Sequence, residues 1–547
     1  MVEQRAQRAG VETLRDLLLA RRDDPRPGLL FEDEQLTWAE VVAEGCDRAA
    51  ALRSVLDPDR PPHVGVLLEN TPDFLLTLGA AALGGLVVVG LNPTRRGEAL
   101  AGDVRRTDCQ VVLTDAAHVD LLANLDHGHD EAAAAAVLPL DSPDWGGLLD
   151  AHRGAPVPET DVDADTLVML IFTSGTSGDP KAVRVTQAKI AGPGTMLAER
   201  FGLGPGDVAY LSMPLFHSNA VMAGWGPALA GGATVALARR FSASGFLPDV
   251  RRFGATYANY VGKPLTYVLG TPEQPDDADN PLRLVFGNEA NERAIAEFGR
   301  RFGCTVVDSY SSTENAVVVQ RRPDMPAGAL GWPLPGVAVL HEDGSPVADA
   351  VFDDDGRLLN ADEAVGQLVN TTGGGAFAGY YDDPEAEAER MRGGMYWSGD
   401  LAYRDPDGWV YFAGRTADWL RVDGENLAAA PLERIWLRHP AVEQAAVYAV
   451  ADPGPLGVGD QVVAALVTSR PLSADEVGSY LDAQGDLPTK GRPRWVRLLA
   501  DLDELPRTAT TKVLKRDLAA QGPVAGRGRL LERDERGTTY AEVRGGA

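Results

Sequence analysis

The sequence predicts an α/β protein: a large N-terminal domain of layered parallel sheets and helices, plus a small mobile α+β C-terminal domain. Three observations carry this prediction. The chain has 547 residues, more than one ordinary domain holds. Short β-branched runs alternate with segments of helical period through most of its length. The pattern changes near Arg415, after which a helix (432–437) and a strand (442–450) open a separate unit that runs to about residue 521.

The elements follow in order. Thr37-Trp38-Ala39-Glu40 has the spacing of a capping box and starts a helix. His63-Val64-Gly65-Val66-Leu67-Leu68, Gln110-Val111-Val112-Leu113 and Ala233-Thr234-Val235-Ala236-Leu237 read as buried strands. Residues 74–91 carry no charge and raise the question of a membrane span. Their glycines at 79, 84, 85 and 90, and a change of character midway, divide them instead into a buried helix and the strand Leu86-Val87-Val88-Val89. Residues 130–136 are Ala-rich and read as a surface helix or loop, and 154–165 as a Pro/Asp linker. A helix over 291–302 sets Ile295, Phe298 and Phe302 on one face. The expected division is 1–415, 416–521 and a mobile Gly/Arg-rich tail, 522–547.

Composition excludes some classes of function. Hydrophobic residues make up 44 % of the chain, ample for a core, and the net charge is −28 at pH 7. Nucleic-acid binding needs concentrated basic surface, and no basic block is present. A phosphate-bearing ligand must therefore be held by a few local cations. Cys46, Cys109 and Cys304 are scattered, with no CxxC pair. They suggest no disulfide framework and fit a reducing cytoplasm. Residues 1–22 are interrupted by charges, unlike the apolar core of a signal peptide. No integral membrane segment is expected.

The most informative stretch is Ile171-Phe172-Thr173-Ser174-Gly175-Thr176-Ser177-Gly178-Asp179-Pro180-Lys181-Ala182-Val183. An apolar run leads into small and hydroxylated residues and then a lysine. Small residues let backbone N–H groups approach an anion, and Lys181 adds a point charge for phosphate oxygens. This is not a GxxxxGK[ST] phosphate loop, because Asp179-Pro180 separate Gly178 from Lys181. A polar surface turn is the plain alternative. No GxSxG nucleophile elbow occurs.

The string from Thr173 to Lys181 resembles the signature of acyl-CoA synthetases, luciferases and peptide-synthetase adenylation domains, the adenylate-forming superfamily. Further motifs follow in that superfamily's order. Pro214-Leu215-Phe216-His217 matches the segment whose aromatic or histidine closes over the acyl site; as a side chain, His217 could equally be a satisfied, half-buried histidine. Phe286-Gly287-Asn288-Glu289-Ala290 matches the turn flanking adenine, where Gly287 permits close approach. In Asp308-Ser309-Tyr310-Ser311-Ser312-Thr313-Glu314, the resemblance implies that Tyr310 stacks on adenine, Thr313 contacts phosphate and Glu314 binds Mg²⁺. Tyr396-Trp397-Ser398-Gly399-Asp400 implies a carboxylate, Asp400, on the ribose hydroxyls, and Gly414-Arg415 an arginine on ribose or α-phosphate. Leu505-Pro506-Arg507-Thr508-Ala509-Thr510-Thr511-Lys512 matches the loop bearing the adenylation lysine, by alignment Lys512.

The matches run from Phe31 to Leu518. Arg240-Phe241-Ser242-Ala243-Ser244, Tyr260-Val261-Gly262-Lys263, Gly287-Asn288-Glu289 and Gly424-Glu425-Asn426 are similar to the fatty acid transport protein and very-long-chain acyl-CoA synthetase branch. The resemblance implies ATP-dependent ligation of a bulky hydrophobic acid to coenzyme A through an acyl-AMP intermediate. It also implies catalysis by Lys512, Glu314 and His217, and rotation of the C-terminal domain between half-reactions. That rotation brings Gly424, Glu425 and Asn426 to the pantetheine tunnel. A homodimer is a family-level expectation. The chain departs from the pattern at Ala182 and Ser311, where Gly is usual, and at Ala417 in the hinge. Three other readings stay open: transfer of a preformed acyl adenylate with weak adenylation, loading of a carrier protein, and a non-catalytic nucleotide or acyl binder.

Overall fold

The computed structural model describes residues 13–123, 134–173, 180–290, 292–322, 324–353, 358–415, 419–422, 425–451, 460–484, 487, 489–507, 513–523, 528–534 and 537–543. The chain divides into two compact units, Met1–Asn315 with Ala376–Ala388, and Ala316–Gly375 with Glu389–Ala547.

Two mainly parallel sheets form the first unit. One has the strand order Thr305–Asp308, Leu284–Asn288, Tyr257–Val261, Val208–Leu211, Thr234–Leu237, Pro27–Phe31 and Glu34–Thr37. The other runs Ala136–Pro139, Val111–Thr114, His63–Leu67, Val87–Gly90, Leu167–Thr173 and Lys181–Thr186. Only the last pair in each sheet is antiparallel. Every residue of His63–Leu67, Val87–Gly90, Val111–Thr114 and Thr234–Leu237 is buried, as expected of parallel strands covered on both faces.

The helices explain the sequence pattern. Thr37 caps Trp38–Val55 with the expected reciprocal bonds: Glu40 N donates to Thr37 Oγ1 at 3.2 Å and Thr37 N to Glu40 Oε2 at 2.7 Å. The uncharged stretch resolves into the buried helix Pro72–Gly84, ended by Gly85 at φ 66°, and the strand Val87–Gly90. Among the described residues no helix is long and apolar enough to cross a membrane. Helix Glu292–Phe302 buries Phe298 and Phe302, whose rings lie 5.7 and 6.2 Å from Phe246. Of the Ala-rich stretch, 130–133 lie outside the described residues, and residue 136 begins the strand Ala136–Pro139 rather than a helix or loop.

The second unit holds an antiparallel sheet ordered Val319–Gln320, Ala329–Pro333, Val410–Arg415, Met395–Arg404, Gly366–Asn370 and Val337–Leu340. It also holds the hairpin Trp419–Val422/Glu425–Ala428 and a sheet of Val442–Ala451, Asp460–Thr468, Trp495–Leu499, Arg529–Arg533 and Tyr540–Glu542. Arg415 thus ends a strand inside this unit. The expectation of a mobile tail beyond residue 521 is corrected. Arg529–Arg533 pairs with Trp495–Leu499 and with Tyr540–Glu542, burying Leu531 completely and Tyr540 almost so. One buried apolar side chain per strand, with Leu530 packed part-buried on the neighbouring cluster, is enough to seat a two-strand extension on an existing edge.

Candidate active site

The phosphate-loop motif is mounted on an antiparallel hairpin. Leu167–Thr173 and Lys181–Thr186 are its arms, and Thr173 stands opposite Lys181. Ser174, Gly175, Thr176, Ser177 and Gly178 lie outside the described residues. Thr173 Oγ1 donates to the Lys181 carbonyl at 3.5 Å. Lys181 is 6 % exposed, and its Nζ sits 5.6 Å above the ring of Tyr380. Ala182 occupies ordinary strand backbone and packs in a buried cluster with Leu170 and Val89. Its methyl group therefore adds packing without strain.

Across the same unit stands the acidic motif. The Glu314 carboxylate is buried, and its Oε1 accepts a hydrogen bond from Tyr380 Oη at 3.0 Å. Thr313 Oγ1 lies 2.9 Å from Ser218 Oγ. Lys189, in helix Gln187–Phe201, is 4 % exposed, and its Nζ has no hydrogen-bond partner among the described residues. Burial pushes its ammonium down to about 8, and the Glu314 charge opposes that shift. His217 packs against Phe216 with ring centroids 4.6 Å apart, and burial pushes its imidazole down to about 4. It is neutral at pH 7, able to orient a carboxylate as a hydrogen-bond donor but not as a charge.

The adenine-flanking turn is fixed from both sides. Asp308 Oδ2 accepts from Tyr260 Oη at 2.6 Å and from the Ala290 amide at 3.0 Å. Gly287 is needed for close approach, but the neighbour is protein: a Cβ there would lie 2.1 Å from the Tyr260 carbonyl oxygen and 2.6 Å from its ring. Asn288 Nδ2 donates to the Ser309 carbonyl at 2.6 Å and lies 3.2 Å from Ser311 Oγ. The serine at the usual glycine position is thus tied into the turn. Exposed Glu289 and half-buried Asn315 adopt positive φ, 67° and 52°, at the two ends of this region. Tyr310 is half-buried between them in sequence. Asn219 joins the network, donating to the Tyr260 carbonyl at 2.9 Å and to Asn288 Oδ1 at 3.2 Å. It opens the π-helix Asn219–Trp225, a form enriched at functional sites.

The second unit carries the remaining motif residues. Asp400 is buried and faces Arg415 across the strand pair Met395–Arg404/Val410–Arg415. Its amide donates to Ser398 Oγ at 3.0 Å, and Gly399 turns at φ 74° beside Arg390. Glu425 and Asn426 begin the second strand of the hairpin, opposite Val422 and Arg421. Gly424 and Lys512 lie outside the described residues.

The first unit therefore brings together Thr173, Lys181, His217, Gly287, Asn288, Glu289, Tyr310, Thr313 and Glu314. Sequence reasoning missed Lys189, Ser218, Asn219 and Tyr380. Tyr380 had a readable signal, a Gly-Tyr-Tyr triplet ahead of Asp-Asp-Pro; Lys189 had none, since helical lysines are mostly solvated. Among the described residues no three His, Cys, Asp or Glu side chains converge as a self-sufficient metal site. The Glu314 carboxylate, whose Oε2 has no hydrogen bond to a described residue, fits a magnesium ion that brings its other ligands with a polyphosphate.

Site and fold define an adenylate-forming enzyme, and the comparisons agree. The family model described as AMP-binding enzyme matches residues 19–381, and the chain belongs to that family. It is 53 % identical over 514 residues to the medium/long-chain-fatty-acid–CoA ligase FadD17 of Mycobacterium tuberculosis, covering 93 % of this chain and 96 % of that one. It is 48 % identical to the steroid-22-oyl-CoA synthetase of Rhodococcus jostii, covering 93 % and 91 %. The o-succinylbenzoate coenzyme A synthetase of Bacillus subtilis, solved with ATP and magnesium ion, superposes with a TM-score of 0.71 at 25 % identity, covering 92 % and 98 %.

Proposed function

We propose that this protein is an AMP-forming acyl-CoA ligase that activates a hydrophobic carboxylic acid with ATP and passes it to coenzyme A. The observation that carries the reading is the joining of Lys181 and Glu314, 133 positions apart, through Tyr380 in one buried cluster beside the phosphate-loop hairpin. A non-catalytic binder has little use for this pairing of cation and carboxylate.

The acid's carboxylate attacks the α-phosphate of ATP, the bond to the β-phosphate breaks, and pyrophosphate leaves. The protein's task is positioning and charge neutralisation. Lys181 holds the outer phosphates. Thr313, set by Ser218, offers a hydroxyl to phosphate, and Glu314 holds Mg²⁺, which when bound neutralises phosphate charge. Neutral His217 orients the acyl carboxylate, and Tyr310 stacks on adenine against the turn of Gly287, Asn288 and Glu289. In the second unit, Asp400 takes the ribose hydroxyls, and Arg415 contacts ribose or α-phosphate. Lys512 stabilises charge in this first step. In the second step the thiol of coenzyme A attacks the acyl carbonyl and AMP leaves. Residues 416–521 rotate between steps, presenting Gly424, Glu425 and Asn426 to the pantetheine arm. The relatives' printed names support fatty acids of medium or long chain and sterol side-chain acids as the substrate class, and the scattered reduced cysteines support a cytoplasmic setting.

The test is incubation of the purified protein with ATP, Mg²⁺ and a panel of such acids, with and without coenzyme A, following acyl-AMP, acyl-CoA and pyrophosphate by mass spectrometry and a coupled assay. Acyl-CoA with stoichiometric pyrophosphate is the expected outcome. Thioester formed only from supplied acyl adenylates would leave the second half-reaction alone, and silence in both would overturn the reading.

A further inference from the structure

Residues Ala376–Ala388 belong to the first unit although the chain on both sides of them belongs to the second. The segment is laid along the strand that follows the phosphate loop. Tyr381 N donates to the Ala182 carbonyl at 2.8 Å, Arg184 N donates to the Gly379 carbonyl at 3.1 Å, and Tyr380 bridges Val183 in antiparallel register. Gly379 turns at φ 91°, a left-handed conformation that favours glycine, directly before Tyr380.

Tyr380 itself is 3 % exposed and packs its ring edge-on against Phe377 at 5.0 Å. One face of the ring takes the Lys181 ammonium at 5.6 Å, while the hydroxyl donates to Glu314 Oε1 at 3.0 Å. Glu314 Oε2 makes no hydrogen bond to a described residue. The hydroxyl thus fixes the carboxylate's rotation with one oxygen engaged and the other available. The ring can do the first task without the hydroxyl; the hydroxyl alone does the second.

We propose that Tyr380 is a positioning residue for the acid-activating step, aiming Glu314 at the metal through its hydroxyl and Lys181 at the phosphates through its ring. This rests on the ligase reading above. Within it, two chemical functions of one side chain are separable by substitution.

The experiment compares wild type, Tyr380→Phe, Tyr380→Leu and Glu314→Gln, and the double variant of Tyr380→Phe with Glu314→Gln. Binding of α,β-methylene-ATP is measured by calorimetry with and without Mg²⁺, and pyrophosphate release is titrated with Mg²⁺. Tyr380→Phe is expected to raise the Mg²⁺ needed for half-maximal pyrophosphate release about tenfold, to weaken metal-dependent nucleotide binding by a like factor, and to leave metal-free binding within twofold. Such a factor is what a hydrogen bond to a charged acceptor contributes. Tyr380→Leu is expected to weaken metal-free binding as well. With Glu314→Gln already in place, Tyr380→Phe is expected to change Mg²⁺ dependence less than twofold. Wild-type Mg²⁺ dependence in Tyr380→Phe, or an equal loss with and without metal, would overturn the proposal. If Tyr380→Phe does not fold, Tyr380→Leu decides: a loss of nucleotide binding larger with Mg²⁺ than without it supports the proposal, and an equal loss, or none, refutes it. If the variants show this pattern of nucleotide binding while the wild type activates no acid, the ligase reading falls and Tyr380 keeps only the aiming of Glu314 and Lys181 at a bound nucleotide.

Discussion

Replacing Lys189 by methionine is expected to make the protein more stable at neutral pH. Lys189 is 4 % exposed and its Nζ has no hydrogen-bond partner among the described residues, so its charge is held at a cost. Burial moves its pKa from 10.5 to about 8, even with Glu314 acting in the other direction. A base whose folded pKa is depressed destabilises the fold fully below the folded value, and the cost disappears as pH rises past the unfolded value. The difference of about 2.5 units, at about 1.4 kcal/mol each, gives a penalty of about 3 kcal/mol at pH 7 that fades between about pH 8 and 10.5. Methionine keeps the stem and drops the charge. For a unit of roughly 330 residues, whose unfolding entropy is about 0.7 kcal/mol/K, 3 kcal/mol corresponds to about 4–5 °C in Tm. Differential scanning fluorimetry of wild type and Lys189→Met at pH 7 and pH 10 reads this directly. The variant should melt higher at pH 7, and the gap should narrow at pH 10. A variant that melts at or below the wild type at pH 7 would refute the electrostatic reasoning and show that the ammonium has a stabilising partner.

Gly287→Ala should be costly, because the new methyl group meets the Tyr260 carbonyl at 2.1 Å in the adjacent strand. Overpacking of this kind costs about 1–3 kcal/mol, and displacement of Asn288 and Glu289 should raise the KM for ATP; kinetics and melting curves of the variant check both. His217, pushed down to about 4 by burial, should give ring-proton NMR shifts that stay flat between pH 5.5 and 8. An inflection near 6.5 assigned to it would contradict the geometry. Lys512→Ala should abolish pyrophosphate release with free acid while leaving ATP binding largely intact, as calorimetry beside the release assay would show.

Much of this was legible in the sequence, and what was hidden has physical reasons. Parallel strands buried on both faces read as continuous apolar runs, so Val87–Gly90 and Thr234–Leu237 were visible. Small residues ahead of Lys181 and the acid at 314 are chemistry that needs particular residue types. The cluster that joins them was not legible, because Tyr380 reaches Glu314 across 66 positions and the segment around it belongs to the first unit while the chain on both sides belongs to the second. Lys189 looks like any helical lysine until its burial is known. The C-terminal strands were hidden by composition: Leu531 and Tyr540 seat them, but arginine, glutamate and glycine surround both. The strand carbonyl of Tyr260, which leaves no room for a Cβ at Gly287, was not legible either, because register between strands is set by tertiary pairing.

The most direct test of the account follows the oxygen atoms. An acid that proves active is labelled with ¹⁸O in both carboxylate positions and turned over with ATP and coenzyme A. Attack of the carboxylate on the α-phosphate, followed by thiol attack on the carbonyl, must leave one ¹⁸O in AMP, one in the thioester and none in pyrophosphate. Mass spectrometry of the three products gives the answer. That distribution is the expected result; unlabelled AMP beside acyl-CoA would contradict an acyl-AMP intermediate and with it the central claim.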